Sequence, residues 1–410
     1  MTSRTTSSSH LEALPVELLD MIAGYAQRKD LLELARTSRQ THDVCIRHIY
    51  ATIVLKNGCQ AISCFKTLIS NPRCAHCVRK LVVGALDTKV MLEAALRIVQ
   101  VAMNKLKFLS AIYFAARSKS FELFSSIHFP GLRTCIIPLS IATVQFLQRH
   151  PNLAEVVVTP VEGEFRRLFI PAVAIPMAHL ESFIGPDVIA EVILPGFRLS
   201  HIIIISCSRR LSRYARPIST IIDAVTRGGA KLESVYYLVT RWDTALLPSI
   251  AAHAPSVTFV HVQNEYDSRS FVSSEAFISS VDYAIAALQD LKVLQISQRR
   301  RGAVQTERLS QELAAEFELV RRWGDRVPAL TYCLLPSETT WVRRRGRNVW
   351  IPVASDNSEA GRAIRQDWLF AALLDSPSLI QEYGFRDTQE EAAYKAQVRK
   401  NVDSLVRIRL

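Results

Sequence analysis

The sequence predicts an α/β chain in which three short helices precede an irregular solenoid of short parallel strands and helices. Three observations predict it. Residues 10–55 place apolar side chains at spacings of three and four between cap signals, the mark of short amphipathic helices. From residue 56 onward, helical stretches alternate with short β-branched runs, each run introduced by a turn residue and a leucine or valine. The composition is that of an ordinary globular chain: 49% hydrophobic and 21% charged, with 17 prolines and 14 glycines scattered as punctuation.

Residues 1–9 form a Ser/Thr-rich run with nothing apolar to bury, and are predicted to be disordered. They lack the basic start and apolar stretch of a signal peptide. The most apolar later run, 199–207, is far short of the roughly 20 residues that cross a bilayer, so no membrane association is predicted. Eight irregularly spaced cysteines, in a chain without an export signal, read as free and mostly buried thiols. The chain is expected to be soluble, in the cytoplasm, the nucleus or both.

The first helix should begin at Pro15, where a missing N–H costs nothing, with Glu17 at the positive end of the helix dipole. Leu18, Leu19, Ile22, Tyr25 and Ala26 give it an apolar stripe, and Gly24 lies near its end. Asp30 and Glu33 have capping-box spacing and open a second helix through Leu31, Leu32, Leu34 and Ala35. Thr37 or Ser38 caps a third, which carries Val44, Cys45, His48, Ile49 and Tyr50 inward before Ile53, Val54 and Leu55 extend the chain. Three helices this short bury little surface alone, so a partner should cover part of their apolar area.

These residues resemble the F-box. Leu14-Pro15-Val16-Glu17-Leu18-Leu19, then Ile22, Tyr25, Asp30-Leu31, Leu34-Ala35 and Thr37-Ser38-Arg39, follow its pattern L-P-x-E-[LI]-[LI] with the later spaced apolar positions. Tyr50 departs from it, standing where a tryptophan is frequent. The resemblance assigns 10–55 to an F-box and implies docking to a Skp-type adaptor, and through it to a cullin. The residues implied for that interface or its support are Leu14, Pro15, Leu18, Leu19, Ile22, Leu31 and Leu34.

Residues 56–410 read as a leucine-rich-repeat-like domain that recognises a target protein. Its strands are predicted around 78–83, 106–114, 129–137, 150–158, 180–184, 199–205, 232–237, 254–260, 291–296 and 327–335. Their separations, from about 20 to nearly 40 residues, overlap and exceed the leucine-rich-repeat range. Helices are predicted between them at 88–103, 141–149, 217–227, 271–288 and 306–323, then a hairpin at 341–353 with a basic turn, and closing helices at 362–374 and 388–403. The run Asn71-Pro72-Arg73-Cys74-Ala75-His76-Cys77-Val78-Arg79-Lys80-Leu81 is similar to the "NP-x-x-A-x-x-V-x-x-L" that follows the F-box in large families of mushroom-type fungi. A doubly wound α/β domain would share the same alternation. No Gly-rich phosphate loop follows any candidate strand, which disfavours a nucleotide-binding version.

Cys59, Cys64, Cys74 and Cys77 could in principle hold zinc, but Cys74 and Cys77 fall on the apolar face of a short helix, and buried thiols are preferred. No ordered nucleophile and base set or His-x-x-x-His pair is present; His42, His48, His150 and His253 read as fold or turn residues. No catalytic activity, cofactor or metal is therefore predicted. The basic runs 299–301 and 343–347 read as exposed loops. Aromatic residues are not interleaved with them, so nucleic acid is disfavoured, and either run would suit an acidic peptide as well as DNA. The expected function is that of a substrate receptor in an SCF-type ubiquitin ligase; the alternative is a non-degradative scaffold using the same two surfaces.

Overall fold

The computed structural model describes residues 14–84, 93–114, 121–122, 124–160, 174–196, 198–206, 218–227, 229–265, 274–298, 306–344, 349–354 and 359–375. The expected disordered start, the run 299–301, the hairpin tip at 345–348 and the last helix at 388–403 lie outside them. The fold is mixed α/β, with thirteen helices among the described residues. Two compact units, Met1–Leu180 and Glu181–Leu410, divide the chain.

The first unit opens with α1 (Val16–Tyr25), α2 (Arg28–Leu34) and α3 (Arg39–Ala51). Ser38 caps α3: its Oγ accepts from the Thr41 amide at 3.3 Å while Thr41 Oγ1 accepts from the Ser38 amide at 3.1 Å. The Asp30 and Glu33 box does not form. Helix α2 starts three residues earlier, behind Gln27, which makes no side-chain cap bond, so Asp30 lies inside its first turn.

Helix α3 runs straight into β1 (Thr52–Leu55), and β1 pairs in parallel with β2 (Lys80–Val83). Between them lie α4 (Gly58–Ser70), capped by Asn57, and α5 (Pro72–Cys77), capped by Asn71 with Pro72 at its first position. After α6 (Glu93–Met103) the parallel ladder continues through β3 (Ala111–Phe114), β4 (Thr134–Pro138) and β5 (Glu155–Thr159). One register row runs Ile53, Leu81, Ile112, Cys135, Val156, and all five side chains are buried.

The second unit repeats the design with β7 (Ser182–Pro186), β9 (His201–Ile205), β10 (Ser234–Val239), β11 (Phe259–Asn264), β12 (Val293–Gln298) and β13 (Tyr332–Leu334), all parallel neighbours in that order. Its buried row is Phe183, Ile202, Val235, Val260, Leu294, Cys333. Two antiparallel strands, β14 (Thr339–Arg343) and β15 (Trp350–Ala354), extend the sheet, and Trp341 continues the row opposite Cys333. This is the predicted hairpin. The remaining strands are the three-residue β6 (Ile175–Met177) and β8 (Ile193–Pro195).

A short motif underlies both units. An aliphatic residue is followed three positions later by a buried apolar residue and, two further on, by another. Val78-Leu81-Val83, Leu109-Ile112-Phe114, Leu132-Cys135-Ile137 and Leu153-Val156-Val158 are the copies in the first unit. Leu199-Ile202-Ile204, Leu232-Val235-Tyr237, Val257-Val260-Val262, Leu291-Leu294-Ile296 and Leu330-Cys333-Leu335 follow in the second. The residue after the leading aliphatic offers its carbonyl to two successive amides of the next copy: Ser110 and Ala111 to Arg79, Arg133 and Thr134 to Ser110, Glu233 and Ser234 to Ser200. Such a unit cannot bury its apolar edge until a neighbour stacks on it.

Candidate functional site

Successive helix residues lie about 100° apart, so the apolar positions of α1 cannot share one side. They form two stripes. Leu19 and Ala23 pack with Leu31, Val44, Cys45 and Ile49 in a buried cluster, and Leu14, Ala26, Leu34, Ala35 and Tyr50 lean against it half-buried. The other stripe faces outward: Leu18 is 45% exposed, Met21 60%, Ile22 45% and Tyr25 89%. Their i, i+3, i+4, i+7 spacing puts all four on one helix face. Pro15, Val16 and Leu32 are also exposed.

The seven sequence candidates therefore separate. Leu19 and Leu31 are core, Leu14 and Leu34 support it, and Pro15, Leu18 and Ile22 lie on the surface. Met21 and Tyr25 are not among the candidates, although Tyr25 belongs to the predicted apolar stripe. The spacing 18, 21, 22, 25 was the available signal, obscured by merging it with Leu19 and Ala26.

Polar contacts fix α1 on α3. Asp20 Oδ1 reaches Arg47 at 3.2 Å and His48 Nε2 at 3.0 Å, and Gln40 Nε2 donates to the Leu14 carbonyl at 3.3 Å. The outward stripe thus belongs to a helix whose other side is packed.

A second surface lies on the second unit's sheet, on the face opposite its buried row. Adjacent strands there present Ile203, Tyr236, His261, Gln295 and Leu334 in register, all half-buried. The Tyr236 and His261 rings meet edge to face at 4.3 Å; Tyr236 donates to Gln263 Oε1, and His261 Nε2 lies 3.1 Å from Ser297 Oγ. Burial pushes the His261 imidazole down to about 4 and, with Glu265 adding to it, pushes the Tyr236 phenol up. This is a neutral surface suited to hydrogen bonding and apolar contact. Sequence reasoning did not single these residues out, because alternation shows that a strand has two faces but not which residues on neighbouring strands line up.

Among the described residues no three His, Cys, Asp or Glu side chains gather as a metal would need. The expectation that all four early thiols are buried fails at Cys59, which is exposed, while Cys64 and Cys77 are half-buried and only Cys74 is fully enclosed. His150 is a core residue: its Nε2 accepts from the Phe129 amide at 2.9 Å, and Nδ1 donates to the Phe146 carbonyl at 2.8 Å. No helix among the described residues is long and apolar enough to cross a membrane.

Comparison with models of known protein families gives no match, and comparison with curated proteins gives none. Among solved structures, the chain is similar to a protein from Bacteroides fragilis at 7% identity and a TM-score of 0.33, over 62% of this chain and 66% of that one. The chain thus spans just under two thirds of that neighbour's length.

Proposed function

We propose that this chain is the substrate-recognition subunit of an SCF-type cullin-RING ubiquitin ligase. Its N-terminal three helices act as an F-box that docks a Skp-type adaptor, and its leucine-rich-repeat-like array holds a protein target. The observation that carries the reading is the outward stripe Leu18, Met21, Ile22 and Tyr25, on a helix whose opposite side is already packed. Four large apolar side chains on one face of a short helix mark an interaction surface rather than scattered exposure. The Leu14-Pro15-x-Glu17-Leu18-Leu19 pattern supports the identity of the partner, and the recurring strand motif supports the array.

On this reading the chain performs no chemical step. It raises the local concentration of a target beside an activated ubiquitin carried by other subunits, and its own groups supply only binding and orientation.

The test is capture of purified adaptor and cullin by the full chain. Leu18→Asp should abolish capture, since burying a leucine contributes about 1.5–3 kcal/mol and a buried unpaired carboxylate costs more. A folded Leu18→Asp protein that captured adaptor at wild-type strength would refute the reading. Capture of adaptor without cullin, and without ubiquitin transfer to any bound target, would point instead to a scaffold.

A further inference from the structure

Charge is unevenly spread along the chain. Residues 56–114 hold nine Lys or Arg against two Asp or Glu, so 59 of the 410 residues carry seven of the twelve excess positive charges. The first unit brings Arg79, Lys80 and Lys107 of this stretch together with Arg133, outside it, at the edge of its sheet where the parallel strands begin. Arg79 and Arg133 occupy the same place in the strand motif, two strands apart with Ser110 between them: the Ser110 amide donates to the Arg79 carbonyl, and the Arg133 amide to Ser110, each at 2.8 Å. At the usual strand spacing their backbones are roughly 10 Å apart.

Phe108, in the turn that leads to Ser110, is 52% exposed. The Arg79 guanidinium lies over its ring at 5.2 Å, and the His76 ring meets it perpendicularly at 5.6 Å. Lys107 is exposed beside it, and Lys80 Nζ stands 4.5 Å over the Tyr113 ring.

These cations are held by carbonyls and rings. Arg79 donates to the His76 and Val78 carbonyls, and Arg133 to that of Asn152 at 3.2 Å. No carboxylate among the described residues pairs with Arg79, Lys80, Lys107 or Arg133; nearby Glu155 accepts from Thr134 instead. Like charges fixed together without counter-charges repel one another and cost stability, a cost that a ligand of opposite sign removes.

We propose that this edge, built on Arg79, Phe108 and Arg133 with His76, Lys80 and Lys107 around them, docks an acidic peptide segment of a partner protein. Carboxylates of the segment meet the two guanidinium forks, and an apolar side chain packs on Phe108. The inference rests on the reading of the chain as a receptor for a protein, and adds the class of segment it takes. A single-stranded nucleic acid fits less well, because binding there uses successive rings as stacking platforms, whereas Phe108 offers a single exposed ring.

Fluorescence anisotropy of the full-length protein tests this with a labelled peptide of alternating Glu and Phe, a Lys and Phe counterpart, and oligothymidylate of matched charge. The acidic peptide should bind saturably and lose affinity as salt is raised. Arg133→Glu, Lys107→Glu and Phe108→Ala, each with an unchanged melting temperature, should weaken it, the Arg133 reversal by about tenfold or more. Leu18→Asp should leave peptide binding unchanged while adaptor capture is lost. Wild-type protein that captures adaptor but binds no acidic peptide overturns the inference and leaves the ligase reading standing; peptide binding without adaptor capture does the reverse. Equal binding by the reversal variants, or tighter binding of oligothymidylate, also overturns it.

Discussion

Glu316 is 8% exposed, with Oε2 accepting from Ser337 Oγ at 2.7 Å and Trp341 Nε1 at 3.1 Å, and Oε1 accepting from the Ser337 amide at 3.2 Å. Burial outweighs these donors and pushes the carboxyl up to about 7, from an ordinary 4.5. The folded state therefore prefers the protonated acid. Its contribution is complete below the unfolded value and is lost as pH rises through about 7, an effect on the order of 3 kcal/mol. Glu316→Gln keeps the acceptor oxygen and cannot titrate, so urea unfolding followed by tryptophan fluorescence should show a shallower pH slope for the variant between about 4.5 and 7. Identical slopes would rule out the assignment. His150 runs the other way: burial lowers it from 6.5 to about 4, so its neutral form stabilises the fold above 6.5 and that stabilisation is lost as pH falls through about 4. Exchange at the Phe129 amide, corrected for its intrinsic rate, should accelerate over that range, and a flat profile would contradict it. The adjacent pair on α1 separates function from stability. Leu19→Ala should cost about 2–5 kcal/mol of local stability, whereas Leu18→Ala should leave the melting temperature nearly unchanged. Neighbours in sequence with opposite fates are not legible from periodicity alone, because the packed side is decided by where α3 lies.

Whole elements were easier to read than their faces. The helix Ile141–Arg149 lies at its predicted bounds, and Ile218–Thr226 and Thr306–Arg326 fall within three residues of theirs, because each pairs clear periodicity with a stop signal. The stretch predicted as one helix at 271–288 is Ser274–Ala284 followed by a 3-10 turn, Ile285–Ala287. Three helices escaped prediction, one of them the four-residue Asp187–Ala190. Gly58–Ser70 had its signal in plain view, Asn57 accepting from the Gln60 amide at 3.0 Å. Leu246–His253 was hidden by Pro248, which reads as a breaker yet sits in the first turn, where its missing N–H has no intrahelical partner to lose. The strand motif was visible as a leucine before each β-branched run, but its fixed six-residue form was masked by the unequal helices between copies. Ser38→Ala tests how far α3 depends on its cap. Losing the bond from the Thr41 amide to Ser38 Oγ, while the backbone bond from residue 38 to Thr41 Oγ1 remains, should cost about 1 kcal/mol, measurable as a lower unfolding midpoint.

At the scale of the molecule, the place where the chain is cut decides what survives. Residues 52–55 are the first strand of the first unit's sheet, paired residue by residue with 80–83. A chain beginning at Lys56 would strip β2 of that partner, and one beginning at Ala51 would keep it. The shorter chain should therefore aggregate more readily in light scattering, since β2 would become an exposed edge rich in valine and leucine. Equal solubility of the two would show that the edge is protected in some other way. The same junction governs how motion passes along the chain. Ala51 ends a helix and Thr52 begins a strand, with no intervening residue to act as a pivot. A flexible tether dilutes whatever it carries through the volume it sweeps, whereas a joint without a pivot holds its load at a fixed bearing. Anything seated on the first unit's sheet would be aimed by α3 as a rigid arm aims its tool, and a few Gly-Ser residues inserted at this one joint would spoil the aim while leaving both grips intact.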